Sequence, residues 1–217
     1  IDAIRTQIKS EIDAGVQVGF NAPDIVPDTT EELEDVYKPF SGSSTDTGGM
    51  STSEKKLIQA LQDGMDQAMK RHDNLVLMGQ DIAEYGGAFK VTEGLVHKYG
   101  KERVRNTPLC ESAIVGTALG LSIKGFKSMM EMQFSDFVTV GFNQIVNNLA
   151  KIYYRWGQHA DVVIRMPTGG GVGAGPFHSQ STEAWFTHTP GLKVVYPSNA
   201  YDAKGLLLAS FEDPNPK

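Results

Sequence analysis

From Leu57 to Glu212 the chain alternates short apolar runs with stretches whose apolar residues recur every three or four positions. That alternation constrains the fold more than any other feature of the sequence. Helical spacing marks Leu57, Leu61, Met65 and Met69, and a strand-length run, Leu75–Met78, follows. The pattern then predicts a helix around Glu93–Tyr99, a strand at Val104–Asn106 and a small-residue-rich helix over Ser112–Lys124. Lys127–Met132 reads as a strand, Asp136–Tyr154 as a long helix and Asp161–Met166 as a strand. Thr182–His188 reads as a short helix, Lys193–Tyr196 as a strand, and Ala200–Glu212 as a helix capped by Ser198 or Asn199. Strands alternating with helices predict an α/β fold, a parallel sheet with helices on both faces. Ligands of such sheets gather beyond the carboxyl ends of the strands. The loops after Asn106, Met132 and Met166 are therefore the candidates for function.

The chain upstream is different in kind. Ile1, Ile4, Ile8, Ile12 and Val16 form the stripe of an amphipathic helix too short to bury itself. Pro23 and Pro27 impose an extended stretch, and Thr29-Thr30-Glu31-Glu32 offers a capping box for a helical turn ending near Tyr37. From Ser41 to Ser53 every residue except Asp46 and Met50 is Ser, Thr or Gly, the composition of a flexible linker. Three segments result: 1–40, a linker at 41–53, and a domain from 54 to 217.

Bulk properties exclude several classes of function. A net charge of −6 with no basic block argues against nucleic-acid binding. No apolar run approaches the ~18–20 residues that would cross a bilayer. The single cysteine, Cys110, cannot form an intrachain disulfide, which fits a reducing compartment. The chain opens on Ile1 without a leader pattern, so the expected location is the cytoplasm.

Each of the three loops carries a chemical candidate. In RNTPLCESAIVG, Glu111 stands at a helix start beside Leu109, Cys110, Ile114 and Val115. It is either a carboxylate favoured by the helix dipole or a carboxyl group in apolar surroundings that holds and donates a proton. In EMQFSDF, Phe134 and Phe137 are either paired core aromatics or a platform on which a flat ligand stacks. The third loop, TGGGVGAGPFHSQ, has five glycines between Gly169 and Gly175 and ends on His178. It lacks the third glycine of a dinucleotide fingerprint, because Ala174 or Pro176 falls in that register, and it lacks the Gly-Lys-Ser/Thr of a Walker loop. Both phosphate readings fail, which leaves a loop that approaches something closely and presents His178. His178, Glu183 and His188 do not have zinc-helix spacing. Cys110 beside an acidic residue is a poor nucleophile to pair with His178.

Taken together, YGGAFKVTEGLVHKYG, NTPLCE, EMQFSDF, FHSQSTEAWF and HTPGLKVVYPSNAYDAKGLLLASFEDPNP resemble the beta subunit of the thiamine-diphosphate-dependent 2-oxo acid dehydrogenases. The resemblance runs from about Ser53 to Lys217 and implies a transketolase-like pyrimidine-binding domain. The first forty residues, ending in EELEDVYKPF, look like the C-terminal tail of the alpha subunit, so the resemblance implies an alpha–beta fusion of bacterial type. It also implies the family's C-terminal beta domain shortly after Lys217.

The roles of individual residues follow from that resemblance. Glu111 matches the glutamate that hydrogen-bonds the cofactor's aminopyrimidine and activates it; the cofactor then serves as electron sink. Phe137 matches the aromatic residue that stacks on the pyrimidine, with Leu109 and Gln133 lining the same pocket. His178 matches the histidine implicated in acyl transfer to a lipoyl-lysine. A potassium site in some relatives matches Ala160, Val162, Val163, Ser210, Asp213 and Asn215. Magnesium and the diphosphate belong to the alpha-subunit domain, so the isolated chain is expected to be inactive. The implied partners are that domain, further copies in an alpha2beta2-like or homo-oligomeric assembly, and the lipoyl domain and core of a dihydrolipoyl acyltransferase. NTPLCE and QFSDF are closer to branched-chain (2-oxoisovalerate) enzymes than to pyruvate dehydrogenase, the runner-up. A transketolase-like enzyme is disfavoured by the HSQS loop, and a purely structural assembly module by the presence of both Glu111 and His178.

Overall fold

A computed structural model describes residues 1–42 and 53–217. Most of the linker inferred at 41–53 therefore lies outside the described residues. The chain divides into two compact units, Ile1–Glu32 and Leu33–Lys217.

In the first unit, α1 (Asp2–Phe20) forms where the isoleucine stripe predicts it, and none of its residues is buried. The next helix, α2 (Thr29–Glu34), stops short of Tyr37. Its start is held by Asp28 and not by a Thr29 capping box. The Asp28 Oδ1 accepts from the Thr30 and Glu31 amides at 2.8 and 3.2 Å, because a carboxylate one residue earlier reaches both orphan donors.

The second unit is built on a four-stranded parallel sheet in the order β2-β1-β3-β4. The strands are β1 (Leu75–Gly79), β2 (Val104–Asn106), β3 (Lys127–Glu131) and β4 (Val162–Arg165). Around them run α3 (Leu57–Arg71), α4 (Leu95–Tyr99), α5 (Glu111–Ile123), α6 (Val138–Asn143), α7 (Ile152–Trp156), α8 (Ala184–Thr187) and α9 (Ala200–Glu212). Alternation along β1 sorts the core into two layers. Leu75 and Leu77 join Met129 and Val163 under α3, α4 and α9. Val76 and Met78 join Met130 and Val162 under α5, α6 and α8. Both faces are covered, as a parallel sheet requires.

Several elements differ from the sequence pattern for identifiable reasons. Helix α4 begins at Leu95 instead of Glu93, because Gly94 takes a left-handed conformation (φ 80°). The long helix predicted over Asp136–Tyr154 is broken into a 3₁₀ turn (Ser135–Phe137), α6, a π-helical segment (Gln144–Leu149) and α7. The helix predicted over Thr182–His188 shortens to α8. Asn199, the second of two proposed caps, holds α9 by accepting from the Asp202 amide at 2.9 Å.

Lys193–Tyr196 is not a strand. The backbone beside β4 is Pro216–Lys217: the Lys217 amide donates to the Val162 carbonyl, and the Ile164 amide donates to the Lys217 carbonyl. Lys193 reaches that segment once, donating to the Pro216 carbonyl. Among the described residues no further ladder partner lies beside Val194–Tyr196, so β-prone side chains alone do not make a strand there.

Helix α4 is pinned to α3 through Asp66. Its carboxylate accepts from the Lys98 ammonium, from Lys70 at 2.7 Å and from the Tyr99 hydroxyl at 2.6 Å. Burial pushes this carboxyl up, but the two ammonium groups and the hydroxyl outweigh it and hold it below its ordinary value of 3.8. Burial, and then the neighbouring Asp66 charge, push Tyr99 up to about 12. A carboxyl depressed in the folded state contributes stability above its unfolded pKa and loses that contribution as pH falls through the folded value. Asp66→Asn is therefore expected to cost about 1 kcal/mol at neutral pH, after allowance for solvent screening. Its penalty should shrink progressively as urea titrations are carried from neutral pH down through the acid range below about pH 4; a penalty that does not change with pH would assign the effect to packing.

Candidate active site

The carboxyl ends of β1, β3 and β4 meet the starts of α5 and α6. Glu111 is the first residue of α5, half-buried, with the helix N-terminus favouring its negative charge. Gln80, the residue after β1, is 5% exposed and donates its Nε2 to Glu111 Oε1 at 3.0 Å. Helix α6 crosses α5 at Gly141. A Cβ on that glycine would lie 3.2 Å from Val115 Cγ2 and Met132 Cε and 3.6 Å from the Glu111 carbonyl. A side chain there would push the two helices apart.

Four rings gather beside this crossing. Phe134 meets Phe137 at 6.0 Å, His178 at 5.1 Å and Phe89 at 5.9 Å, and Phe137 meets His178 at 5.4 Å, all edge to face. Edge contacts satisfy the ring quadrupoles. His178 reaches the cluster through a closed loop. The Gly169 amide donates to the Gln180 carbonyl at 2.8 Å, in a backbone (φ 105°) that favours glycine. Ser135 receives the loop: its amide donates to Pro167 and its hydroxyl to Thr168 Oγ1 at 3.0 Å. Asp136 Oδ1 accepts from the Gln180 amide at 3.2 Å. The turn that follows Phe134 is thus the seat on which the glycine loop rests.

Glu131 ties the same loops from below. Its side chain is fully buried, paired with Arg165 at the end of β4, and its Oε1 accepts from the Ala88 amide at 2.7 Å. Ala88 belongs to a turn in which Phe89 and Lys90 adopt left-handed backbone (φ 57° and 62°). Conformations of this kind persist only where the surroundings enforce them. Gly87 leaves room for the arrangement; a Cβ there would lie 2.8 Å from Glu131 Oε1.

The structure brings Phe137 and His178 into contact and sets Glu111 on the helix that α6 crosses. Gln133 is half-buried just beyond β3, and Leu109 is 81% exposed on the approach to α5. The Cys110 Sγ lies 3.6 Å from the Pro108 carbonyl and packs against the core, consistent with a small hydrophobe.

Of the six residues of the expected potassium site, Asp213 is the one in contact with ammonium groups of the chain itself. Asp213 Oδ2 pairs with Lys193, and its Oδ1 accepts from the Asn215 amide and Nδ2 at 3.0 and 2.7 Å. The Asp213 carbonyl accepts from the Lys217 ammonium, and the Val162 carbonyl from the Lys217 amide. Burial brings Lys217 down to about 8. Ala160 uses its carbonyl on the Val162 amide, Val162 and Val163 offer no side-chain oxygen, and Ser210 is buried at the end of α9. Among the described residues no group of three or more His, Cys, Asp or Glu side chains could hold a metal ion. No described helix is long and apolar enough to cross a membrane.

Gln80, Phe89, Glu131, Asp136 and Arg165 are site residues that the sequence pattern does not single out. Each is one residue at a strand end or in a turn, where spacing carries no information.

A search of family models decides the fold family. The model described as the transketolase pyrimidine-binding domain matches residues 53–217. The chain belongs to this family. Its pyrimidine-binding domain is 48% identical over 163 residues to the mitochondrial 2-oxoisovalerate dehydrogenase subunit beta of Dictyostelium discoideum, covering 74% of this chain and 44% of that protein. It is 46% identical to the pyruvate dehydrogenase E1 component subunit beta of Acholeplasma laidlawii (74% and 50% covered). Identity is 45% to the 2-oxoisovalerate dehydrogenase subunit beta of Bacillus subtilis (73% and 49% covered). The chain spans about half the length of these relatives. The solved structure of a split-gene transketolase, an inactive beta4 tetramer, superposes with a TM-score of 0.58 at 20% identity, covering 76% of this chain and 50% of that one. At that identity it supports the fold: a parallel sheet with helices on both faces, as a transketolase-like pyrimidine-binding domain has.

Proposed function

We propose that this domain forms the pyrimidine half of a thiamine-diphosphate site in the beta subunit of a 2-oxo acid dehydrogenase, acting on the branched-chain substrate 2-oxoisovalerate. The observation that carries the proposal is Glu111 on the α5 start, with one carboxylate oxygen held by Gln80 and the other without a protein partner among the described residues. A second observation supports it: Gln80 Oε1 is buried and has no hydrogen-bond partner. An unmet acceptor beside a carboxylate suits an aminopyrimidine, which brings both donors and acceptors.

When bound, the cofactor supplies the carbon nucleophile and the electron sink for decarboxylation. The chain's own residues do the rest. Glu111 holds a hydrogen toward a ring nitrogen, Phe137 offers an aromatic surface, and Leu109 and Gln133 line the approach. His178, edge-on to Phe134 and Phe137, is held to carry a proton where acyl transfer to a lipoyl arm takes place. An alpha-subunit domain holds the magnesium and diphosphate in this reading, residues 1–40 are its C-terminal tail, and the assembly is a cytoplasmic multienzyme complex.

Pyruvate is the second reading, favoured by the Acholeplasma relative. The assembled enzyme should be assayed with 2-oxoisovalerate, pyruvate and 2-oxoglutarate and an artificial electron acceptor. The expected result is a kcat/KM for 2-oxoisovalerate at least about tenfold above that for pyruvate, since two added methyl groups in an apolar pocket give discrimination of this size. The reverse order would transfer the assignment to pyruvate.

A further inference from the structure

We infer that Gln80 is a positioning residue for Glu111, and that its amide fixes which carboxylate oxygen faces a ligand's ring nitrogen. This inference rests on the thiamine-diphosphate reading of the site. Its support is geometric. Gln80 leaves β1 at a point where the backbone cannot shift, because Gly79 is packed so closely that a Cβ would lie 2.9 Å from the Glu131 carbonyl and 3.0 Å from Ile82 Cγ2. The Gly79 carbonyl accepts from the Thr107 amide at 2.9 Å, and Asp81 turns away in left-handed backbone (φ 56°). The side chain that emerges from this fixed point is buried and ends on Glu111 Oε1 at 3.0 Å. With the hydrogen that faces the ligand held at Oε2, Glu111 can only accept at Oε1, so the amide must present its N–H₂ there and turn its oxygen elsewhere. That oxygen is buried and unpartnered.

The residue type matters as much as the place. A glutamate at position 80 would set a second carboxylate against Glu111, and two such groups do not both ionise readily. An apolar side chain would leave Oε1 without its donor and let the carboxylate rotate. The amide supplies a donor without adding charge, satisfies one oxygen, and leaves Oε2 as the oxygen available to a ligand.

The test is calorimetric and does not depend on turnover. The assembled enzyme is titrated with thiamine diphosphate and with the analogue in which carbon replaces the pyrimidine nitrogen facing Glu111. The proteins are wild type, Gln80→Met, Glu111→Gln and the double variant, each checked for an unchanged thermal midpoint. Gln80→Met is expected to weaken thiamine diphosphate about tenfold, the scale of a lost hydrogen bond to a charged group. The same variant should leave the analogue's affinity unaltered. The double variant should bind no worse than Glu111→Gln alone, because both substitutions remove one contact. Equal weakening of both ligands would make Gln80 merely structural, and no weakening would remove it from the site; either result overturns the inference. If wild type discriminates between the ligands through Glu111 while Gln80→Met discriminates equally well, only the Gln80 assignment falls. If wild type itself does not discriminate, the underlying cofactor reading and this inference fall together.

Discussion

Glu111→Gln is expected to lower kcat of the assembled enzyme by roughly 10²–10⁴-fold, the range for loss of a positioned proton-transfer group. Its folding should be nearly unaffected. The replacement amide still accepts from Gln80, and the lost interaction with the start of α5 is worth only about 0.5 kcal/mol. The two effects separate chemistry from architecture. Steady-state kinetics and a thermal melt on one preparation are sufficient. Turnover within about threefold of wild type would place the cofactor elsewhere and return the chain to the assembly-module reading.

The largest expected stability effect belongs to Glu131. Glu131→Ala would strand the Arg165 guanidinium, whose side chain is only 13% exposed, without its counter-charge. It would also leave the Ala88 amide without its acceptor. Removing one partner of a buried ion pair costs about 3–5 kcal/mol, far more than the net worth of the pair. Glu131→Met with Arg165→Met should recover most of that loss, since no charge is then left buried. Guanidinium titrations of the two single variants and the double provide the cycle. A cost below about 1 kcal/mol for Glu131→Ala would mean that water already reaches the pair and that the loop carrying Phe89 is held by other contacts.

The sheet was legible because its signal is repetitive. Leu75–Gly79, Met129–Met130 and Val162–Ile164 are apolar runs between helical patterns, and burial on both faces leaves little other use for them. The break in the Asp136–Tyr154 helix was hidden by the same logic. Val138, Ile145, Leu149 and Ile152 all point into the core whether the intervening bonds are α or π. Lys193–Tyr196 shows the opposite failure, because a strand is a relation between segments and its residues alone cannot declare a partner. In the site, Phe137 and His178 stood out through a short aromatic spacing and a glycine-rich approach. Gln80 and Glu131 did not, because a polar residue at a strand end reads as the start of a loop. Their meaning comes from what lies across the sheet: α5 for Gln80, and the Ala88 turn with β4 for Glu131.

The unpaired stretch beside β4 also bears on how the protein behaves in solution. Ile164, Met166, Val194, Val195 and Tyr196 line one apolar cavity of about 180 Å³, and the last three are 39%, 41% and 57% exposed. An extended apolar segment entering there finds hydrophobic walls beside the exposed side chains of Val194–Tyr196, an apolar patch of the kind that favours association. Lys193 stands at its border as a charged gatekeeper. Colloidal stability is therefore expected to depend on this face, and charge added at Val194 is expected to improve solubility; Tyr196 is not the place for it, because its hydroxyl lies 3.5 Å from the Cβ position of Gly169, where the His178 loop begins.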